Sequence, residues 1–276
     1  MKNLSLAFIG GGNMASALAA GLLNDAFPAT NIHIVDPSTE VRQQWQNKGC
    51  QVSAEANEQL SQATVWLFCV KPQYLAQAAE QCRPYINKKT LVISVAAGIS
   101  GHTLANWLGT NTEPFTRLVR CMPNTPALIG AGATGMWALN GVSEADKQLA
   151  EQLIHTVGTA IWVDSDADLD AVTALSGSGP AYVFLFAEAL IEGGIALGLS
   201  KEQAKTLALA TLQGAAQLAD QSDEGLSQLR QRVTSKGGTT AAALEVFEQQ
   251  QFKKIVQAAM QAANARAGEL AAEFSS

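Results

Sequence analysis

Residues 4–15 read LSLAFIGGGNMA, an apolar run that leads through glycines into an alanine-rich segment ending near Leu23. A strand followed by G-x-G-x-x-A and a helix is typical of a dinucleotide-binding fold. There Gly10 makes the tight turn, Gly12 lets a pyrophosphate approach the backbone, and the small Ala15 lets helix and strand pack closely. The N–H groups at the helix start then bind the phosphates. The stretch favours dinucleotide binding over an ordinary strand-to-helix turn.

Apolar segments alternate with helical patterns through residue 163. Near-continuous apolar strands between helices indicate a parallel sheet with helices on both faces. One helix is predicted to begin at Ser143, because Ser143-Glu144-Ala145-Asp146 is a variant of the capping box. The predicted strands are 4–9, 32–35, 65–70, 91–96, 116–120, 132–139 and 159–163.

After Asp164 the strand pattern disappears, and Ala, Leu, Gln and Glu dominate. A capping box at Ser200-Lys201-Glu202-Gln203 opens one of the predicted helices. Alanine-rich helices bury small side chains and often need a partner surface, so a helical dimerisation domain is expected. The prediction is an α/β fold, with a Rossmann-type domain at 1–164 and an all-helical domain at 165–276. The helices are expected near 170–198, 201–221, 223–235, 240–249 and 251–273.

Composition excludes several function classes. The chain of 276 residues is 47% apolar and 15% charged, so it folds, and its formal net charge of −6 argues against nucleic-acid and anionic-membrane partners. The four cysteines and three histidines show no metal-ligand spacing, which predicts buried, reduced thiols and no metal site. The apolar run at 4–9 is too short for a signal peptide, and Glu188 and Glu192 interrupt the stretch 181–199, which predicts a buried helix rather than a membrane span. A cytoplasmic protein is expected.

The second strand ends at Asp36, where a dinucleotide fold reads the adenosine ribose. An acid there hydrogen-bonds a 2′-hydroxyl and repels a 2′-phosphate, which favours NAD. If Asp36 points away, a phosphate can be received instead by Ser38, Thr39, Arg42 and Asn57. These residues are therefore compatible with either NAD or NADP.

Three more loops follow predicted strands and lie at the carboxyl edge of the sheet, where ligands bind in such folds. They are Val70-Lys71-Pro72, Ala96-Ala97-Gly98 and Met122-Pro123-Asn124-Thr125-Pro126. Lys71 binds a phosphate or substrate anion, or else is a solvated loop residue. Two prolines give the last loop a fixed bend, because they exclude helix and central strand.

The helical half holds two glycine-rich elements, 176–182 and 233–240. In the second, Gly237 and Gly238 permit a turn whose N–H groups point inward, and Thr239 or Thr240 can cap the following helix. Such a helix start can hold a small carboxylate, although an ordinary threonine-capped loop would look the same. No lysine stands between Ala174 and Ala187, where hydroxyacid dehydrogenases of this plan usually carry one. A C=N substrate, which needs only hydride and a hydrogen-bond donor, therefore fits better than an alcohol.

Together these motifs resemble the pyrroline-5-carboxylate reductase family along the whole chain. The two glycine-rich elements are the most specific, since generic dinucleotide-binding proteins lack them. The resemblance implies hydride transfer from NADPH, or from NADH, to 1-pyrroline-5-carboxylate, giving L-proline. It also implies a homodimer formed through the C-terminal helices, with dimers often assembling into larger rings. The matching segments are 8–14, 70–72, 96–98, 122–126, 176–182 and 233–240.

The resemblance also implies roles for individual residues. Gly237, Gly238, Thr239 and Thr240 match the loop that holds the substrate carboxylate. Thr240, the candidate catalytic residue, matches a hydroxyl near the imine nitrogen, and Asp166 matches an acidic position near the substrate. The matching cofactor positions are Gly10, Gly11, Gly12, Asn13, Met14, Ser38, Asn57, Val70, Lys71 and Ala97, to which the strand ends add Asp36, Pro72, Ala96 and Gly98.

Two residues depart from the family pattern. Lys236 replaces the usual proline, which frees the loop and adds positive charge near a carboxylate site. Asp36 stands where many members that prefer NADP lack an acid. The rival interpretations are a reductase of another cyclic imine or small keto acid, and a non-catalytic dinucleotide sensor. A sensor has no need of the loop at 237–240, which argues against it.

Overall fold

The computed structural model describes residues 4–110 and 112–275, with side chains through residue 273. The contacts divide the chain into two compact units. The first unit is Met1–Ser178 together with Ala263–Ser276, and the second is Gly179–Ala262.

An eight-stranded sheet forms the centre of the first unit. The strands are β1 Leu6–Ile9, β2 Ile32–Val35, β3 Gln51–Ser53, β4 Val65–Phe68, β5 Leu91–Ser94, β6 Leu118–Met122, β7 Gly132–Ala138 and β8 Gly158–Trp162. Their order is β3-β2-β1-β4-β5-β6-β7-β8. The order reverses between β1 and β4, which opens a crevice at the carboxyl ends of these two strands, the usual ligand position in such folds.

Helices cover both faces of this sheet. Those of the first unit are α1 Asn13–Asn24, α2 Thr39–Asn47, α3 Pro72–Cys82, α4 Gly101–Leu108, α5 Glu144–His155 and α6 Asp168–Val172. Alternation along β1 builds one core on each face: Leu6 and Phe8 belong to one cluster and Ala7 and Ile9 to the other, and all four are buried. Ala15 is fully buried, as the close packing of α1 on the strand requires.

The structure corrects two expectations about the sheet. The sequence predicts no strand at β3, which has only three residues and no fully buried one. The sheet was also expected to be parallel, but β7 runs antiparallel to β6. The connection between them holds only a short 3₁₀ turn, Thr125–Ile129, and a parallel crossover needs a longer connection. The predicted end of the sheet near Val163 is confirmed by β8.

The division into units differs from the predicted boundary at 164/165. Helix α6 packs against β6 and β7 and so belongs to the first unit. Helix α6 packs closely on β7, because a Cβ added to Gly135 on β7 would lie 2.7 Å from the methyl groups of Val172 on α6. The π-helical turn Thr173–Gly177 then leads out of this unit. A functional division at 1–164 and 165–276 remains a prediction.

The remaining helices are α7 Gly179–Ala196, α8 Lys201–Asp220, α9 Leu226–Arg232, α10 Thr239–Gln249 and α11 Phe252–Ser275. The capping boxes at Ser143 and Ser200 are both formed, as predicted. The prediction that residues 181–199 form a buried helix is wrong for a single chain. Within α7 only Ala187 is buried, while Phe184 and Leu185 are 63% and 67% exposed.

A bidentate ion pair fastens α5 to the start of β6. Arg117 Nε donates to Asp146 Oδ2 at 2.9 Å and Nη2 donates to Oδ1 at 2.5 Å. The Ser143 hydroxyl also donates to Oδ2, at 2.8 Å. The hydrogen bond from Arg117 is the main cause that holds the pKa of Asp146 below its usual value, and the Ser143 contacts assist.

Arg117→Met is expected to lower the free energy of unfolding by about 2 kcal/mol at neutral pH, because it leaves a buried carboxylate without its cation. The folded pKa of Asp146 lies below the unfolded value, so its contribution is present above about pH 4 and is lost as the pH falls further. Urea unfolding at pH 7 and pH 3 should show a larger deficit at pH 7 than at pH 3. An equal deficit at both values would contradict this assignment, and Lys147→Met, which breaks an exposed pair with Glu144, is the control.

Candidate active site

The glycine loop between β1 and α1 has the geometry its sequence predicts. Gly10 has φ +92°, which other residues rarely adopt, and its N–H donates to the Val35 carbonyl at 2.8 Å. Gly12 is the N-cap of α1 and brings no side chain to cap it. A Cβ added to Gly12 would find no atom within 4 Å. The first N–H groups of α1, on Asn13 and Met14, therefore border open space.

Gly11 differs from its neighbours because it is turned towards the core. Its carbonyl accepts from Trp45 Nε1 at 3.0 Å, and a Cβ would lie 2.6 Å from Val41. Its predicted contact with a cofactor is therefore limited to the backbone.

Asp36 holds the glycine loop through backbone hydrogen bonds. Its Oδ2 accepts from the Gly11 N–H and its Oδ1 from the Ser38 N–H, both at 2.8 Å. Arg42 Nη1 donates to the Asp36 carbonyl at 2.8 Å, and Nη2 donates to Thr39 Oγ1 at 3.0 Å. The carboxylate is thus engaged by two amides of the protein, and the guanidinium is held beside it at the end of β2.

A cleft of about 570 Å³ opens at the carboxyl ends of β1, β2 and β4. Lys71 is exposed on its wall, and Pro72 follows as the first residue of α3. Asn57 caps a 3₁₀ turn through Oδ1, which accepts from the Gln59 N–H at 3.0 Å, so Nδ2 remains a donor. The lining includes Gly10, Gly12, Val35, Asp36, Cys69, Val70 and Lys71, together with Glu55, Tyr74 and Gln77, which sequence reasoning missed.

The four cysteines are free thiols, as predicted. Cys50, Cys82 and Cys121 are buried, whereas Cys69 is only half-buried and lines the cleft. Burial raises the pKa of Cys69 and Cys121 and raises that of Cys82 to about 12. Burial thus favours the protonated form of these three thiols.

The loop Ala96–Gly98 lies at the next strand end and is held through α4. Gly98 has φ +71°, and the Gly101 N–H at the start of α4 donates to Asp166 Oδ2 at 2.9 Å. Asp166 Oδ1 pairs with Nη1 of the buried Arg120 at 2.5 Å. Both oxygens of Asp166 thus have protein partners, which gives it a structural role. Its predicted contact with substrate remains a prediction.

The second glycine-rich loop forms the start of α10 in the second unit. Gly237 has φ +71°, Gly238 is the N-cap, and the helix has no side-chain cap. The prediction that a threonine caps this helix is therefore wrong, because Thr239 and Thr240 occupy its first two positions. The N–H groups of Thr239, Thr240 and Ala241 have no intrahelical acceptor. This leaves a helix start suited to a carboxylate.

The first unit fits a nicotinamide dinucleotide. Open space above Gly12, unpaired N–H groups at the start of α1 and the cationic Lys71 suit a pyrophosphate. The cleft volume falls within the range of ordinary cofactor sites. The residues present therefore fit the group that the motif implies.

Comparison with known proteins agrees with this reading. A family model described as pyrroline-5-carboxylate reductase dimerisation matches residues 166–270, and one described as NADP oxidoreductase, coenzyme F420-dependent, matches 5–98. The pyrroline-5-carboxylate reductase of Pseudomonas aeruginosa is 43% identical over 275 residues, which is 99% of each protein. The chain belongs to the pyrroline-5-carboxylate reductase family. The resemblance and the fold class predicted from the motifs are confirmed.

Solved reductases of this family have the same fold. The enzyme from Coxiella burnetii superposes with a TM-score of 0.90 at 38% identity, covering 97% of this chain and 98% of that one. A Plasmodium falciparum pyrroline carboxylate reductase with NADP bound gives 0.85 at 32% identity, covering 98% and 99%. A nicotinamide dinucleotide is thus the cofactor class for this reductase.

Membership in the family explains the exposed apolar helices. Residues 168–196 are long and apolar enough to cross a membrane by composition alone, and few of them are buried in one chain. They lie within the part matched by the dimerisation model. The reductase forms oligomers through its C-terminal region, and burial against another subunit accounts for apolar side chains that are exposed in one chain.

Proposed function

We propose that this chain reduces the C=N bond of 1-pyrroline-5-carboxylate to give L-proline, with NADPH as the preferred reductant. The observation that supports the substrate class most is the start of α10. Gly237 adopts the positive φ that the turn requires, and α10 presents backbone N–H groups without a side-chain cap. A small carboxylate is the ligand such a helix start stabilises, through its N–H groups and its dipole.

The residues of this chain bind the substrate and supply one group that polarises its C=N bond. The N–H groups of Thr239, Thr240 and Ala241, in the turn that Gly237 and Gly238 form, hold the substrate carboxylate and fix the ring. The Thr240 hydroxyl donates a hydrogen bond to the ring nitrogen and relays to it a proton from solvent, so that hydride on the carbon and this proton on the nitrogen replace the C=N π bond. When bound, the reduced nicotinamide supplies the hydride to C5. No acid–base pair is needed, because an imine nitrogen is more basic than a carbonyl oxygen.

The preference for NADPH is supported by the contacts of Asp36. Its two oxygens already accept from the amides of Gly11 and Ser38, which hold the carboxylate in place and leave it fewer lone pairs for a 2′-hydroxyl. Arg42 and the Ser38 hydroxyl stand at the same strand end, where a 2′-phosphate would be received. A guanidinium binds phosphate with charge-assisted hydrogen bonds.

Arg42→Ala is expected to raise the KM for NADPH about tenfold and to leave the KM for NADH nearly unchanged, because a lost charge-assisted hydrogen bond is worth roughly 1.5 kcal/mol. Gln43→Ala, on an exposed position of the same helix, is the control. Equal effects on both cofactors would instead assign Arg42 to holding the end of β2.

The activity is tested by oxidation of NADPH and of NADH with 1-pyrroline-5-carboxylate, each beside a reaction without substrate. Substrate-dependent oxidation with a higher kcat/KM for NADPH is expected. Cofactor binding without turnover would favour another cyclic imine or the sensor interpretation.

The assembly and the compartment are also part of the proposal. Dimers joined through the C-terminal helices are expected to assemble further into a ring, which light scattering of the purified protein measures. Free thiols at all four cysteines, three of them buried, support a cytoplasmic enzyme.

A further inference from the structure

A π-helical turn, Thr173–Gly177, separates α6 from α7. The Ser178 N–H donates to the Thr173 carbonyl at 2.8 Å, five residues back. Such turns are rare and interrupt the regular ladder of helical hydrogen bonds. The carbonyl of Ser176 is affected most, because the residue four positions on is Pro180, which has no N–H. Continued α-helix could not supply that carbonyl with its usual donor.

Asn124 supplies the missing donor from another part of the chain. Its Nδ2 donates to the Ser176 carbonyl at 3.0 Å, and its Oδ1 accepts from the Ala133 N–H at 2.9 Å. One amide thus ties the turn to the first residues of β7. Aspartate and alanine lack the donor for Ser176, so neither can make both bonds.

The two hydrogen bonds of Asn124 lie at the carboxyl end of β6. Asn124 follows this strand, and a Cβ added to Gly177 of the turn would lie 2.7 Å from Met122 Cε. In doubly wound folds the second mononucleotide half is bound at the carboxyl ends of the second set of strands, here β4 to β6. The turn therefore borders the edge that serves the nicotinamide half of the cofactor.

We propose that Asn124 is a positioning residue for the reductase reaction. By donating the hydrogen bond that Pro180 cannot, it holds the turn Thr173–Gly177 in its π-helical register against the end of β6. The residues of the turn are thereby held in fixed positions at the edge of the sheet that serves the nicotinamide, as hydride transfer requires. This inference rests on the proposed function for its kinetic readout and on the two hydrogen bonds of Asn124 for its structural basis.

Four variants separate positioning from simple stabilisation: Asn124→Ala, Asn124→Asp, Pro180→Ala and the double variant Asn124→Ala/Pro180→Ala. Asn124→Ala is expected to lower kcat by about 10- to 100-fold, as small misplacements near the chemistry do. Its KM for NADPH should stay within about twofold, because the loop at Gly10 holds the phosphates. Asn124→Asp keeps the acceptor for Ala133 and replaces the donor to Ser176 with an acceptor oxygen, so it removes the proposed hydrogen bond even if the alanine variant folds poorly.

The double variant gives the deciding result. Pro180→Ala restores an N–H that can reach the Ser176 carbonyl in an α-helical register, so the thermal midpoint should recover relative to Asn124→Ala. We expect kcat to remain low, because the turn then takes the wrong register. Recovery of kcat together with the midpoint would overturn the inference and leave Asn124 a purely structural residue.

Two controls complete the experiment. Asn106→Ala removes an exposed amide from α4 and should change neither kcat nor the midpoint. A wild-type enzyme without turnover would overturn the proposed function itself. Normal turnover in wild type and in Asn124→Asp alike would overturn only the role of Asn124.

Discussion

Gly12→Val is expected to abolish measurable saturation with NADPH while leaving the fold intact. A Cβ at residue 12 meets no atom within 4 Å, and φ there is −74°, which valine tolerates. The added side chain fills the space that the pyrophosphate needs at the start of α1. Losing two charge-assisted hydrogen bonds costs about 3 kcal/mol, so the KM should rise by at least about 100-fold.

Gly11→Ala is the matched control because the adjacent glycine has the opposite surroundings. A Cβ there would lie 2.6 Å from Val41 and 3.0 Å from Ile34 and Trp45. This variant should lose thermal stability, whereas Gly12→Val should keep it. Titration of each variant with NADPH, beside its thermal midpoint, measures both effects. Normal cofactor binding by Gly12→Val would refute the placement of the phosphates on this loop.

Thr240→Ala is expected to lower kcat by about 100-fold, the usual effect of removing one positioned proton or hydrogen-bond donor. The residue is the second of α10, where alanine is a good helix former, so the fold should be unaffected. The KM for NADPH should not change, since the glycine loop at residues 10–12 binds that ligand.

Thr240→Ser keeps the hydroxyl and should retain most of the activity, which separates the chemistry of the group from its bulk. Steady-state kinetics of both variants provide the measurement. If Thr240→Ala turned over at the wild-type rate, Thr240 would have no part in the mechanism.

Local sequence patterns were sufficient to predict most strands and helices of the fold. The apolar runs of β1, β2, β4 and β5 and the capping boxes at Ser143 and Ser200 carry their own structural signals. β3 has three residues and little burial, so it leaves no periodic signal. The reversed direction of β7 depends on the length of the connection before it, which the apolar pattern does not report.

The candidate site shows the same limit at the level of side chains. The glycines at 10–12 and 237–238 were found because turns at helix starts need them. The direction of Asp36 was not predictable, since it is set by a bond to the Gly11 amide 25 residues away. The contacts of Asp166 with Arg120 and of Asn124 with Ser176 span 46 and 52 residues and have no local pattern.

The reductase is expected to transfer hydride directly from the nicotinamide to C5 of the substrate. Reduction of 1-pyrroline-5-carboxylate with NADPH deuterated at both C4 positions tests it, with the product examined by mass spectrometry and NMR. L-proline carrying a single deuterium, on C5, is the expected result. Proline without deuterium, or no proline while NADPH remains bound, would contradict the account.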